Sequence, residues 1–231
     1  MKIAVYSLTR DRLEYTKVCF ESLHKNAGVS FDHFVLDNGS QDGTDKWLRG
    51  EYANQAKKIF YEFGNRGISK GSNILLDYLL SYSSYDLICK IDNDCLVKSE
   101  NILGQIVEIY ESLNFHARYI LSPNEHGIVK QPTRGRYTQL AGRKIGLTAI
   151  VGGLFHCVPV DIYKQYRYPD DYALAKGQDD HFCNWVKANG AEVGYIEDLV
   201  VEHYETTDGQ AKRYPEYFER KYKEELQIAN A

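Results

Sequence analysis

Tyr85-Asp86-Leu87-Ile88-Cys89-Lys90-Ile91-Asp92-Asn93-Asp94 is the stretch on which the fold turns. Its apolar residues Tyr85, Leu87, Ile88, Cys89 and Ile91 follow with little polar interruption, as in a mostly buried strand. Two carboxylates one residue apart end it, at the position where open α/β sheets bind ligands. Hard oxygen ligands suit Mg²⁺ or Mn²⁺, and such an ion binds phosphate oxygens in turn. Asp and Asn are also the commonest turn formers, so Asp92-Asn93-Asp94 taken alone reads first as a strand-ending turn.

Upstream, strands alternate with helices. Residues 2–8, 31–37 and 58–62 read as strands, the second ending in the turn cluster Asp37-Asn38-Gly39-Ser40. Residues 13–25 read as a helix with Val18, Phe20 and Leu23 inward. Asp42 or Thr44 caps a second helix that runs to residue 52. A third covers about 69–80, where Ile68, Leu75, Leu76, Leu79 and Leu80 form one apolar stripe. An amphipathic helix at 99–113 follows the aspartates. This order implies a largely parallel sheet with right-handed crossovers. Beyond it, 123–146 is polar and aperiodic, and reads as a long loop or irregular hairpin. Strands at 147–151 and 154–158 flank Gly152-Gly153. A helix at 178–188, strands at 192–196 and 200–203, and a charged amphipathic helix at 214–228 complete the chain.

At 231 residues, 43% apolar and 26% charged, the composition fits one soluble core. A net charge of −4 gives no global field favouring nucleic acid. The 19 Tyr and 9 Phe suit faces that meet sugar or nucleoside rings. The five cysteines are odd in number and show no CxxC pair, and three lie inside apolar runs as buried free thiols do, which points to a reducing compartment. The apolar run 3–8 is too short, and too soon followed by Arg10-Asp11-Arg12, for a signal peptide. No stretch reaches the length of a membrane-spanning helix, so a cytoplasmic location is expected.

Several motifs occur in a fixed order. They are Ser7-Leu8-Thr9-Arg10 after the first strand and Asp37-Asn38-Gly39-Ser40-Gln41-Asp42-Gly43-Thr44 after the second. Then come Asn65, Gly67 and Asn73, followed by Asp92 and Asp94. Gly152-Gly153, Gly177-Gln178-Asp179 with Asp180 next, and His203 follow. In this pattern the chain resembles the family-2 inverting glycosyltransferases of the GT-A (nucleotide-diphospho-sugar transferase) fold, over roughly residues 2–205. The resemblance implies an α/β fold with a mixed, mostly parallel sheet flanked by helices. It places one domain over residues 1–205, with residues 206–231 a helix packed on or extending it.

The resemblance also implies roles. Asp94 is the expected metal ligand, joined by His203, whose imidazole favours Mn²⁺ over Mg²⁺. Asp92 serves the ribose or a metal-bound water. Thr9, Arg10, Asp37, Asn38, Asn65, Asn73 and Asn93 fall to the nucleotide, and a uracil N3–H accepted by Asp37 makes a UDP-sugar the expected donor. The base that deprotonates a hydroxyl acceptor aligns with Asp179, and Asp180 stands beside it, both at a helix N-terminus that favours carboxylates. Gln178 replaces the family's usual Glu. Ser72 stands where many members carry an Arg, which leaves Lys70 or Arg66 to reach the nucleotide.

Residues 127–160 carry Lys130, Arg134, Arg136, Arg143 and Lys144 and no acidic residue. With Tyr137, Gly153 and His156 they form the expected acceptor side, facing a glycan, a lipid-linked sugar or a modified base in DNA. A nucleotidyltransferase of similar sheet order, or a binding protein on the same fold, are the alternative readings. Against the nucleotidyltransferase, no Gly-rich phosphate loop follows the first strand.

Overall fold

The computed structural model describes residues 1–82, 84–113, 118–126, 136–170 and 177–229. In chain order the elements are β1 (Ile3–Thr9), α1 (Leu13–Asn26), β2 (Asp32–Asp37), α2 (Thr44–Arg49), β3 (Lys58–Tyr61), α3 (Gly67–Tyr82), β4 (Leu87–Ile91), β5 (Cys95–Val97) and α4 (Ile102–Ser112). They continue with β6 (Tyr119–His126), β7 (Tyr137–Leu140), β8 (Arg143–Leu147), β9 (Phe155–Pro159), α5 (Val160–Tyr163), α6 (Gln178–Ala188), β10 (Glu192–His203), α7 (Thr207–Arg213) and α8 (Pro215–Ala229).

The strands form one mixed sheet in the order β3-β2-β1-β4-β9-β6-β10-β8-β7, with β5 paired to β10. The expected parallel arrangement holds across β3, β2, β1 and β4, where Thr9 lies opposite Asp37. Antiparallel β9 then separates β4 from β6. Alternation along β1 sends Ile3 and Val5 to one face and Ala4 and Tyr6 to the other. The first face packs on α1, α2 and α4 through residues such as Phe20, Trp47 and Ile106. The second packs on α3 and α6 through Leu75, Leu79, Phe182 and Val186. Phe20 and Leu23 point inward as expected, while Val18 is only partly buried. All five cysteines are free and buried. Among the described residues no helix is long and apolar enough to cross a membrane.

Four expectations need correction. In the stretch 123–146 the hairpin alternative holds at β7 and β8, but the first residues continue strand β6 to His126 instead of opening a loop. Pro123 hid the strand, since proline cannot donate to a ladder. It is tolerated because Pro123 pairs with Ile196 at the edge of a register shift, and the next pair is Asn124 with Val200. The same shift makes the two expected strands at 192–196 and 200–203 one bulged strand, β10. The expected strand at 147–151 ends at Leu147. The helix expected at 214–228 is α8, started by Pro215, but the tail from residue 206 holds a second helix before it, α7, capped by Thr206, which accepts from Gly209 N at 3.2 Å. Lys130 and Arg134 lie outside the described residues.

Candidate active site

A cleft of about 350 Å³ lies at the C-terminal ends of β1 and β4. Parallel strands deliver their last residues to one edge, so Thr9, Asn38 and Asp92 converge there from three segments of chain. Arg10, Asn65, Asn93, Asp94, Asp179 and His203 complete the set of sequence-selected residues that line it. Asp37 stands one step back, 2% exposed. Its carboxylate accepts from the Thr9 hydroxyl at 3.2 Å, from Ser40 N at 3.3 Å and from the Ser40 hydroxyl. Burial raises its pKa, and these hydrogen bonds oppose the rise. Asn38 cross-links the wall, donating to Asn65 Oδ1 at 3.0 Å and accepting from Arg66 N at 2.8 Å.

Asp92-Asn93-Asp94 is both a turn and a functional edge. Cys95 N donates to Asp92 O at 3.1 Å, closing the turn. Asn93 bridges Thr16 of α1 at 3.0 Å and the Arg12 guanidinium at 2.7 Å. Asp94 Oδ2 accepts from Arg12 at 3.1 Å and from Gln210 of α7 at 3.0 Å, and lies 3.8 Å from His203 Nδ1. Burial alone would raise the Asp94 carboxyl, but Arg12, His203 and Gln210 outweigh it and hold it below the usual range.

Arg12 reaches Asp94 by an unusual backbone. Asp11 and Arg12 both adopt positive φ (52° and 59°), a conformation that costs ordinary residues free energy and survives only where the surroundings enforce it. Asp11 supplies that enforcement, accepting from Gln41 N at 2.7 Å and pairing with Arg220 of α8.

Beneath the cleft, Lys90 of β4 is 2% exposed. Its ammonium donates to Asp92 at 2.6 Å and to Gly153 O at 2.8 Å. Burial would favour the neutral amine, but the charges of Asp92 and Asp179 win and raise its pKa. Asp179 sits in the first turn of α6, whose N-cap Gly177 takes φ 88°, a left-handed conformation suited to glycine. Among the described residues Asp179 Oδ1, itself buried, has no hydrogen-bond partner. Burial raises the Asp179 pKa, while Lys90 and the Gly153 N–H oppose the rise. A Cβ at Gly153 would stand 2.6 Å from Lys90 Nζ and 3.0 Å from Asp179 Oδ2, so a larger residue there would displace the ammonium and the carboxylate from their places.

The remaining selected residues lie elsewhere. Asp180 is exposed beside Asp179 and does not line the cleft. Lys70 and Asn73 belong to a separate groove, where Asn73 pins the chain at Tyr168 by paired bonds of 2.7 and 3.0 Å. Arg136 is exposed, 3.7 Å from Glu192, and the Tyr137 ring lies under Lys144 at 3.8 Å on β7, at the sheet's far edge. His156 is 1% exposed, between Gly152 O and Tyr163 OH, and burial lowers its pKa to about 3. Sequence reasoning missed Arg12, Lys90, Gln210, Tyr217 and Lys221. For Lys90 the signal was a lone cation inside an apolar strand; for Tyr217 and Lys221 it was an amphipathic pattern that does not say what the helix faces, and for Gln210 there was none.

Among the described residues no group of three or more His, Cys, Asp or Glu is arranged to hold a metal. Asp94 and His203 do line the same cleft, and one carboxylate with one imidazole fits part of a Mn²⁺ or Mg²⁺ shell whose remainder comes from phosphate and water.

No protein-family model matches the chain, and no curated protein matches it. Solved structures do. TarS of S. aureus (residues 1–349, in complex with UDP) superposes with a TM-score of 0.65 at 16% identity, over 87% of this chain and 60% of that one. A mannosyltransferase from Pyrobaculum calidifontis, in complex with GDP-Man and Mn²⁺, gives 0.69 at 15%, over 92% and 59%. GalNAc-T7 with UDP, GalNAc and Mn²⁺ gives 0.67 at 12%, over 88% and 44%. The chain thus spans 60% or less of the length of these three. Their shared architecture is the GT-A fold, and this chain has it.

Proposed function

We propose that the protein is a glycosyltransferase that moves a sugar from a nucleotide donor to a hydroxyl acceptor with inversion, as a member of the family-2 group. One observation carries the reading. A buried carboxylate oxygen with no partner among the described residues, Asp179 Oδ1, shares a cleft with Asp94, His203 and the end of β1. The neighbours bound to UDP or GDP-Man support a nucleoside diphosphate in such a cleft, and a UDP-sugar is the first donor to test.

In this reading Thr9, Asn38 and Asn65 hold the nucleoside. Asp94 with His203 would hold a divalent ion, whose chemistry is to neutralise the leaving diphosphate. Asp179 takes the acceptor proton, and its raised pKa brings it closer to the working range of a general base. Lys90 fixes the Asp92 carboxylate and the Gly153 backbone beside that base.

The test is a thermal-shift panel of nucleoside diphosphates and sugar nucleotides with Mn²⁺, followed by product analysis. A ligand at a hundred times its Kd should stabilise the fold by about 2.7 kcal/mol. Sugar-nucleotide hydrolysis should require metal and vanish in Asp94→Ala. No shift with any nucleoside diphosphate would sink the reading, and diphosphate released from a nucleoside triphosphate would replace it with nucleotidyl transfer.

A further inference from the structure

Three cationic side chains line the cleft: Arg10, Arg12 and Lys221. Two are matched by carboxylates. Arg10 forks onto Glu224, with Nη1 donating at 2.6 Å and Nη2 donating to the other oxygen. Arg12 donates to Asp94 at 3.1 Å. Lys221 makes no ion pair among the described residues, and its ammonium lies 5.9 Å from the Phe218 ring centre. An ammonium offers three donors and no acceptor, so one that lines a polar cleft with no carboxylate paired to it is suited to an anion the protein does not supply.

The position of Lys221 follows from how α8 is docked. Tyr217, Lys221 and Glu224 are spaced i, i+4, i+7 and fall on one stripe of the helix. Tyr217 and Lys221 line the cleft directly, and the Tyr217 ring lies 4.8 Å from the Arg12 guanidinium. At the far end of the stripe Glu224 also accepts from Asn65 at 2.9 Å. Off the stripe, Arg220 pairs with Asp11 and donates to Gln41 at 2.6 Å, and Phe218 is 7% exposed. The helix is therefore tied to the loops after β1 and β2 and to the start of α3, the segments assigned above to the nucleotide.

We propose that α8 is the donor-side lid of the cleft and that Lys221 is its ligand for the diphosphate of the bound nucleotide. This rests on the nucleotide-sugar reading of the cleft, and the test separates the two. Calorimetry on the full chain with Mn²⁺ compares UDP, GDP and uridine for the wild type, Lys221→Met and Lys221→Arg, with the ligand-free melting midpoint of each. Lys221→Met should weaken the nucleoside diphosphate about tenfold, as expected for one lost charge-assisted contact, and leave uridine unchanged. Lys221→Arg should restore most of the loss. Amide exchange in α8 should slow with the diphosphate and not with uridine. If Lys221→Met binds the diphosphate as the wild type does, or loses uridine equally, the lid proposal fails. If the wild type binds neither UDP nor GDP, the nucleotide reading itself fails.

Discussion

Asp179 owes its place to three neighbours that are conspicuous only in three dimensions. Gly177 turns the chain into α6, Gly153 leaves the space that a Cβ would fill, and Lys90 supplies the opposing charge from the strand beneath. Removing the carboxylate while keeping its shape isolates its role. Asp179→Asn should lower kcat for transfer by about 10²–10⁴, the usual worth of a positioned base, with donor KM nearly unchanged. Steady-state kinetics against donor and acceptor would show it. Transfer within tenfold of the wild type would assign the base elsewhere.

The elements that build the site differ in how they hold it. The turn between β1 and α1 is the one that spends backbone strain, at Asp11 and Arg12, and Asp11 is the residue that fixes it. Asp11→Ala leaves the Gln41 backbone N–H and the Nη2 of Arg220 without their acceptor, while Arg220 Nη1 keeps Gln41 Oε1, which should destabilise the protein by about 2–3 kcal/mol. Urea unfolding with an unchanged m-value would confirm a native-state loss, and a change below about 0.5 kcal/mol would show that the turn forms without the tie. This turn also marks where the sequence stops being legible. Thr9, Asn38, Asp92 and Asp94 could be placed together because each follows a parallel strand, and strand order fixes where strand ends meet. Arg12 could not, because its reach depends on two positive φ angles at residues that rarely adopt them. Lys90 read as one polar break in an apolar run. The stripe of α8 was visible as an amphipathic pattern, but periodicity does not say which surface a helix face will meet, and here it meets the cleft. Asn73, the last residue of its motif, and Lys70, the stand-in for the missing Arg, are placed for a related reason: spacing does not say which way α3 turns them, and both line a different groove.

At the scale of the whole molecule, both faces of the sheet bury a neutral imidazole. His33 on β2 stands between the Ser7 hydroxyl at 3.0 Å and the Tyr52 hydroxyl at 2.6 Å, and His156 on β9 between Gly152 O and Tyr163 OH. Burial lowers each pKa from 6.5 to about 3, with His24 adding to the fall at His33 and Lys90 at His156. The unfolded chain takes up protons at these sites as pH falls through 6.5, while the folded chain does not until about pH 3. Their contribution is therefore fully present above pH 6.5 and is lost progressively below it. One unit down, at pH 5.5, each histidine costs about 1.4 kcal/mol, and the two together about 3. Desolvation shifts the buried Asp37 and the half-buried Asp92 and Asp179 upward, so their linkage has the opposite sign: they add stability as pH falls through their raised pKa values. The histidine linkage, which begins at 6.5, is the effect that a comparison of pH 5.5 with pH 7.5 reads. Calorimetry should find the midpoint lower at pH 5.5 than at pH 7.5 by roughly 5–10 °C. In the folded protein the ring-proton resonances of His33 and His156 should hold their neutral positions to pH 5, and titration of both near 6.5 would overturn the assignment.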